Sequence, residues 1–101
     1  MIKMEIARLE DKAEEATRLL SAMANTKRLL ILCNLLEREM NVTELGEEVG
    51  LAQSPLSQHL SKLRALNMVR ARREGQHVYY GFASDEVRQI LTTLYSIYCA
   101  T

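Results

Sequence analysis

The sequence predicts a mainly α domain that carries one β-hairpin. Apolar residues recur at helical spacing along most of the 101-residue chain, and the period drops to about two only between residues 69 and 83. Size and composition add a third constraint. A chain of this length with 48% apolar residues closes one hydrophobic core and not two, and 26% charged residues is the balance of a folded soluble chain rather than a disordered or disulfide-stapled one. Residues 1–101 are therefore expected to form one domain.

From Glu5 to Met23, the residues Leu9, Ala13, Ala16, Leu20 and Met23 mark one stripe, which predicts a first helix over about 5–23. Asn25 stands at an N-cap position before a second helix, Thr26 to Arg38. Leu29, Leu30, Ile31, Leu32, Cys33, Leu35 and Leu36 nearly encircle that helix, so it should be the buried one. Asn41, with Glu44 three residues later, has capping-box spacing and opens a short third helix that Gly50 ends. Leu51 and Ala52 make the turn into a fourth helix, Gln53 to Leu66. Pro55 sits in its first turn, Asn67 forms its left-handed end, and Leu56, Leu60, Leu63 and Leu66 form its core stripe. Val69 to Arg73 and His77 to Ala83, around a Glu74-Gly75-Gln76 turn, read as the hairpin and the one sheet signal. Ser84 caps a last helix over about 85–100, with Asp85 and Glu86 at its positive end and Val87, Ile90, Leu91, Leu94, Ile97 and Tyr98 on one face.

Five helices with the hairpin before the last is the order of a winged helix-turn-helix, with the helix-turn-helix at about 42–66 and the wing at about 69–83. On a helical wheel Ser54, Ser57, Gln58 and Ser61 lie opposite the leucines of the fourth helix, flanked by Gln53 and Arg64. Glutamine pairs bidentately with adenine, and serine bonds base edges or phosphate, so this face suits a major groove. Although the net charge is zero, it is unevenly placed. Residues 1–50 carry 7 basic and 10 acidic side chains, whereas residues 51–82 carry Lys62, Arg64, Arg70, Arg72 and Arg73 against Glu74 alone. Lys62, Arg64, Arg72 and Arg73 are the expected phosphate neutralisers, with Gln76 at the wing tip reaching a neighbouring groove. His59 falls near the leucine side and is expected to pack rather than to read bases, and His77 to be a solvated strand residue. The first and last helices carry more apolar surface than one small core needs, which points to a homodimer through them.

No run of about 18 apolar residues occurs, and Met1-Ile-Lys-Met-Glu5 lacks the apolar stretch of a signal peptide, so a cytoplasmic protein is expected. Cys33 and Cys99 fit neither a disulfide framework nor a CxxC motif. From chemistry alone they are either packed thiols or a reactive pair. Burial among apolar neighbours would make Cys33 sluggish, leaving Cys99, near a fraying end, to react first.

The blocks Ala22-Met-Ala-Asn-Thr-Lys-Arg-Leu-Leu-Ile-Leu32, Val42-Thr-Glu-Leu45, Gln53-Ser-Pro-Leu-Ser-Gln-His-Leu-Ser-Lys-Leu-Arg64 and Arg73-Glu-Gly-Gln-His-Val-Tyr-Tyr80, in this order and spacing, resemble the ArsR/SmtB family of bacterial repressors over roughly residues 10–100. The resemblance implies a homodimeric repressor that leaves palindromic operator DNA when an inducer binds. Many members sense metals, and here the sequence departs from them. Where one metal motif places cysteines in an ELCVCDL-like stretch, this chain has Glu39-Met-Asn-Val-Thr-Glu-Leu45. Where the last-helix zinc motif needs ligands after Asp85, it has Val87, Tyr98 and Thr101. No metal and no cofactor is expected. Cys33 in Leu30-Ile-Leu-Cys-Asn34 and Cys99 in Leu94-Tyr-Ser-Ile-Tyr-Cys99 are similar in layout to the BigR, SqrR and YgaV branch. There, one cysteine in each of these helices forms a disulfide or polysulfide bridge with oxidants or persulfides. The resemblance thus implies a redox-sensing pair, Cys33 and Cys99, with a reactive sulfur species or oxidant as inducer.

Alternatives are a repressor responding to a metal or other ligand with structural cysteines, a winged helix used only for protein association, and a small thiol redox enzyme. The enzyme is disfavoured because there is no CxxC, no cofactor motif, and no cation beside Cys33 on its helix face.

Overall fold

The computed structural model describes residues 5–99. Residues 1–4, 100 and 101 lie outside it, and with them the end of the predicted last helix, the start of the chain and the Thr101 position named above. The order is α1 (Ile6–Asp11), α2 (Ala13–Met23), α3 (Thr26–Glu37), β1 (Met40–Asn41), α4 (Val42–Val49), α5 (Gln53–Ala65), β2 (Val69–Glu74), β3 (His77–Phe82) and α6 (Asp85–Tyr98).

Six helices stand where five were expected, because the predicted first helix is broken at Lys12, whose φ of −111° and ψ of 4° leave the helical region. The segment α1 buries no residue. A short helix without tertiary support is marginal, and the polar run Glu10-Asp11-Lys12 gives it no packing to continue on. A second correction concerns the sheet, which has three antiparallel strands in the order β1-β3-β2, with Met40 opposite Tyr80 and Asn41 opposite Tyr79. A two-residue strand is too short to show alternation, so β1 left no periodic signal. The hairpin is paired from Val69 opposite Phe82 to Glu74 opposite His77, so Glu74 belongs to the strand and Gly75-Gln76 alone forms the turn. Gly75 adopts φ 63°, the left-handed geometry that two-residue hairpin loops require.

Local capping follows the sequence closely. Asn25 accepts from the Arg28 N–H at 3.1 Å, and Ser84 accepts from the Val87 N–H at 3.2 Å. Asn41 and Glu44 form a reciprocal capping box, with bonds of 2.9 and 3.0 Å. That backbone bond, reinforced by Arg38, holds the Glu44 carboxyl below the usual carboxylate range. At the end of α5, Asn67 has φ 59°, and the Met68 and Asn67 amides return to the Leu63 and Arg64 carbonyls at 2.9 and 3.0 Å, a Schellman closure. Two cations from α3 close neighbouring helices: Lys27 Nζ donates to Val49 O at 2.5 Å and Arg28 Nε to Ala22 O at 2.6 Å, while α2 and α3 meet at 92°.

The core gathers Ile31, Leu32 and Leu35 of α3, Leu45 and Val49 of α4, Leu56, Leu60 and Leu63 of α5, Val87 and Leu91 of α6, and Met68, Val69 and Phe82 at the wing base. The predicted encirclement of α3 is corrected here. One face enters the core, whereas Leu30 and Cys33 are exposed. The radius of gyration, 15.2 Å against about 13 Å for a compact chain of this size, reflects helices that extend past the core.

The turn of the helix-turn-helix closes on Gly46. The Gly50 and Leu51 amides both converge on Gly46 O, and a Cβ at Gly46 would lie 2.9 Å from Leu51 O. Gly50 itself takes the left-handed φ of 69°. Gly46→Ala is therefore expected to destabilise by about 1–3 kcal/mol through overpacking, although alanine is the better helix former. The urea unfolding midpoint reads this, and an unchanged or raised midpoint contradicts it.

Candidate nucleic-acid interface

Burial of Leu56, Leu60 and Leu63 fixes the rotation of α5 and turns Gln53, Ser54, Ser57, Gln58, Ser61, Lys62 and Arg64 outward, all exposed. The structure thus brings the predicted reading residues together on one helix. At its N-terminus Ala52 supplies no side-chain cap, so the Gln53 and Ser54 amides have no intrahelical acceptor. His59 is half-buried. Burial, then the charges of Arg28 and Lys62, push its imidazole below the usual histidine range, in keeping with a packed, neutral ring.

The wing departs from its expected electrostatics. Arg73 and Gln76 are exposed, and Arg73 has no carboxylate in ion-pair range among the described residues. Arg72, in contrast, donates from Nε and Nη2 to Glu39 Oε1 at 3.2 and 2.9 Å, bonds Glu74 through Nη1, and lies 5.1 Å over the Tyr79 ring. Arg70 pairs with Glu39 at 3.6 Å and donates to Phe82 O, its guanidinium 3.0 Å from where a Gly81 Cβ would stand. The Arg72 hydrogen bond holds the Glu39 carboxyl below the usual range. Glu39 and Arg72 are 33 positions apart, so no local pattern could have announced the pair.

Cys33 and Cys99 are free and exposed, Cys33 on α3 and Cys99 as the C-cap of α6 with its N–H on Tyr95 O at 2.8 Å. Partial burial pushes the Cys33 thiol up, and the neighbouring charges of Cys99 and Glu37 push it the same way. Among the described residues no three His, Cys, Asp or Glu side chains cluster as a metal site.

Comparison with known proteins agrees with this geometry. Residues 25–71 match the model of the bacterial regulatory protein, arsR family. The chain is 57% identical over 88 residues to the nodulation protein NolR of Rhizobium meliloti, covering 87% of this chain and 72% of that protein. The chain belongs to the ArsR family. Among solved ArsR-type structures, it superposes on the transcriptional repressor BigR of Xylella fastidiosa with a TM-score of 0.90 at 34% identity, over 97% of this chain and all (100%) of that one. It also matches a homodimeric winged helix-turn-helix DNA-binding domain of Mycobacterium bovis, with a TM-score of 0.77 at 28% identity, over 96% and 89% of the two chains. This ArsR-family chain is thus a transcriptional regulator with a winged helix fold, and no single helix among its described residues is long and apolar enough to cross a membrane.

A division of labour within α5 follows. Gln58→Ala is expected to lower affinity for promoter DNA by about 1–3 kcal/mol more than for random duplex, whereas Lys62→Ala weakens both and flattens the salt slope by about one. Fluorescence anisotropy at several salt concentrations separates them, and equal effects of the two substitutions contradict the assignment.

Proposed function

We propose that the protein is a cytoplasmic bacterial transcriptional repressor that binds palindromic operator DNA as a homodimer and is released when Cys33 and Cys99 become bridged by oxidation or reactive sulfur species. The observation that carries this reading is a pair of free, exposed thiols on two different helices, Cys33 on α3 and Cys99 at the end of α6. The reading faces are Gln53, Ser54, Ser57, Gln58 and Ser61, with Lys62, Arg64, Arg72 and Arg73 toward phosphates and Gln76 at the wing tip. BigR, which shares the fold, is named a transcriptional repressor, and the Mycobacterium bovis domain is described as homodimeric.

Dimerisation draws support from unsatisfied apolar surface. Ile6 and Leu9 on α1, Leu20 on α2, Leu30 on α3, and Tyr95, Ile97 and Tyr98 on α6 are exposed, Tyr98 at 80%. A two-fold copy would present two α5 helices to a palindromic site, whose half-sites one turn of B-DNA apart lie about 34–36 Å from each other. Ile97→Asp is expected to shift the protein toward monomer and to weaken promoter binding, as sedimentation and anisotropy would register. A dimer that persists with full affinity contradicts this interface.

The chemistry balances in either route. Peroxide oxidises one thiolate to a sulfenic acid with release of hydroxide, and the second thiol condenses with it, losing water; the two electrons end on the peroxide oxygens. With a low-molecular-weight persulfide, one thiolate takes the outer sulfur and a thiol leaves. A second persulfide then accepts the two electrons, giving thiol and hydrogen sulfide, as the other cysteine closes a trisulfide. Either bridge ties α3, whose residues support α5, to α6 at the proposed dimer seam, so a small displacement alters the spacing of the reading helices. About 2.7 kcal/mol of differential binding suffices for a 100-fold loss of affinity.

The test is substitution of each thiol. Cys33→Ser and Cys99→Ser are expected to bind promoter DNA like the parent and to lose its response to peroxide and to glutathione persulfide. Full response in either variant contradicts the paired-thiol reading and returns the inducer to another ligand.

A further inference from the structure

We propose that Glu39 is an internal competitor of DNA phosphate, holding the wing arginine Arg72, and with it Arg70, in pairs that must be exchanged before the wing can neutralise a DNA backbone. The inference rests on the DNA-binding part of the reading above and not on the thiols.

The outer face of the wing is set by the strand register. Arg70 stands opposite Gly81, Arg72 opposite Tyr79 and Glu74 opposite His77, and these pairs share the side away from Val69 and Phe82. Glu39 reaches that face from the short link between α3 and β1, where Asn41 pairs with Tyr79 and so fixes the link against β3. Its two oxygens divide between the arginines, Oε1 to Arg72 at 2.9 Å and Oε2 to Arg70 at 3.6 Å. The side chain of Glu39 is 29% exposed, whereas those of Arg72 and Arg70 are 47% and 58% exposed. The carboxylate therefore lies beneath two guanidinium groups that face solvent. Both donors of the Arg72 Nε–Nη2 edge fall on Oε1 of Glu39, and that edge is the one a phosphate would take.

Charge counting gives the consequence. The stretch 51–82 reads as strongly basic in sequence, yet two of its five cations face Glu39, which lies outside the stretch, and Arg72 also faces Glu74. Arg73, on the opposite face across from Val78, keeps its charge available. The wing thus meets DNA with two arginines that must change partner and one, Arg73, that has no carboxylate in ion-pair range among the described residues. Each exchange releases a carboxylate instead of adding net neutralisation, so random duplex gains less from the wing than the sequence implies. Specific DNA, held in register by α5, retains the contacts that offset the exchange.

The experiment measures affinity for promoter and random duplex by anisotropy across salt concentrations, with unfolding midpoints alongside, for the parent, Glu39→Gln, Arg72→Ala and the double variant. Glu39→Gln is expected to bind random duplex about tenfold more tightly at low salt and to steepen the salt slope by about one phosphate contact. That gain should fall by more than half in the Arg72→Ala background, leaving the share due to Arg70. Unchanged affinity and slope in Glu39→Gln overturn the proposal. So does weaker binding with a lowered midpoint, which makes Glu39 a support of the wing and not a competitor. A parent that fails to bind its promoter would sink the DNA-binding reading itself, a result distinct from either.

Discussion

Leu56, Leu60 and Leu63 of α5 are withdrawn from water almost completely, at 0–1% exposure, and the orientation of the whole reading head follows from that burial. Each apolar side chain contributes about 1.5–3 kcal/mol when fully buried, so rotating α5 to present another face would forfeit several such terms at once. The glycine turn before it and the Schellman closure after it leave α5 no freedom to slide, since Gly46 and Asn67 fix its approach and departure. A helix with a weakly apolar stripe and a soft polar face is thereby made into a rigid presenter of glutamine and serine.

Electrostatics complements this packing. Zero net charge does not leave the molecule electrostatically neutral in every region, and neither does the basic central stretch act as a free polycation. Lys27 and Arg28 serve as helix-end caps, Arg70 and Arg72 are paired across the wing, and Lys62, Arg64 and Arg73 remain outward. Contacts from such outward cations to phosphate are insensitive to sequence, unlike contacts from the exposed glutamine and serine face beside them.

What was legible in the sequence was local. The caps at Asn25, Asn41 and Ser84, the left-handed Asn67 and the leucine stripe of α5 were readable because the interactions or repeats that make them span three to five positions, and the hairpin because its two alternating runs flank a tight turn. The break at Lys12, the two-residue β1 and the exposure of Cys33 were not readable. Each depends on which surfaces meet in three dimensions. Apolar residues all round α3 look like full burial in one dimension, yet Leu30 and Cys33 are exposed, as are Leu20 on α2 and Ile97 and Tyr98 on α6. The exposed polar face of α5 was legible residue by residue, whereas the pairing of Arg72 with Glu39 was not, being a long-range contact between charges that look interchangeable in sequence. The family likeness seen in the motif blocks agrees with the match over residues 25–71 and with NolR.

In the proposed function, a covalent link between α3 and α6 changes DNA affinity. It is tested most directly by intact mass spectra of the reduced protein before and after peroxide or glutathione persulfide, each sample then titrated with promoter DNA by fluorescence anisotropy. The expected outcome is a loss of two hydrogens, or a net gain of sulfur, mapped to Cys33 and Cys99 and accompanied by weaker binding in the same samples. Bridged thiols with unchanged affinity, or unmodified thiols under both reagents, would contradict it.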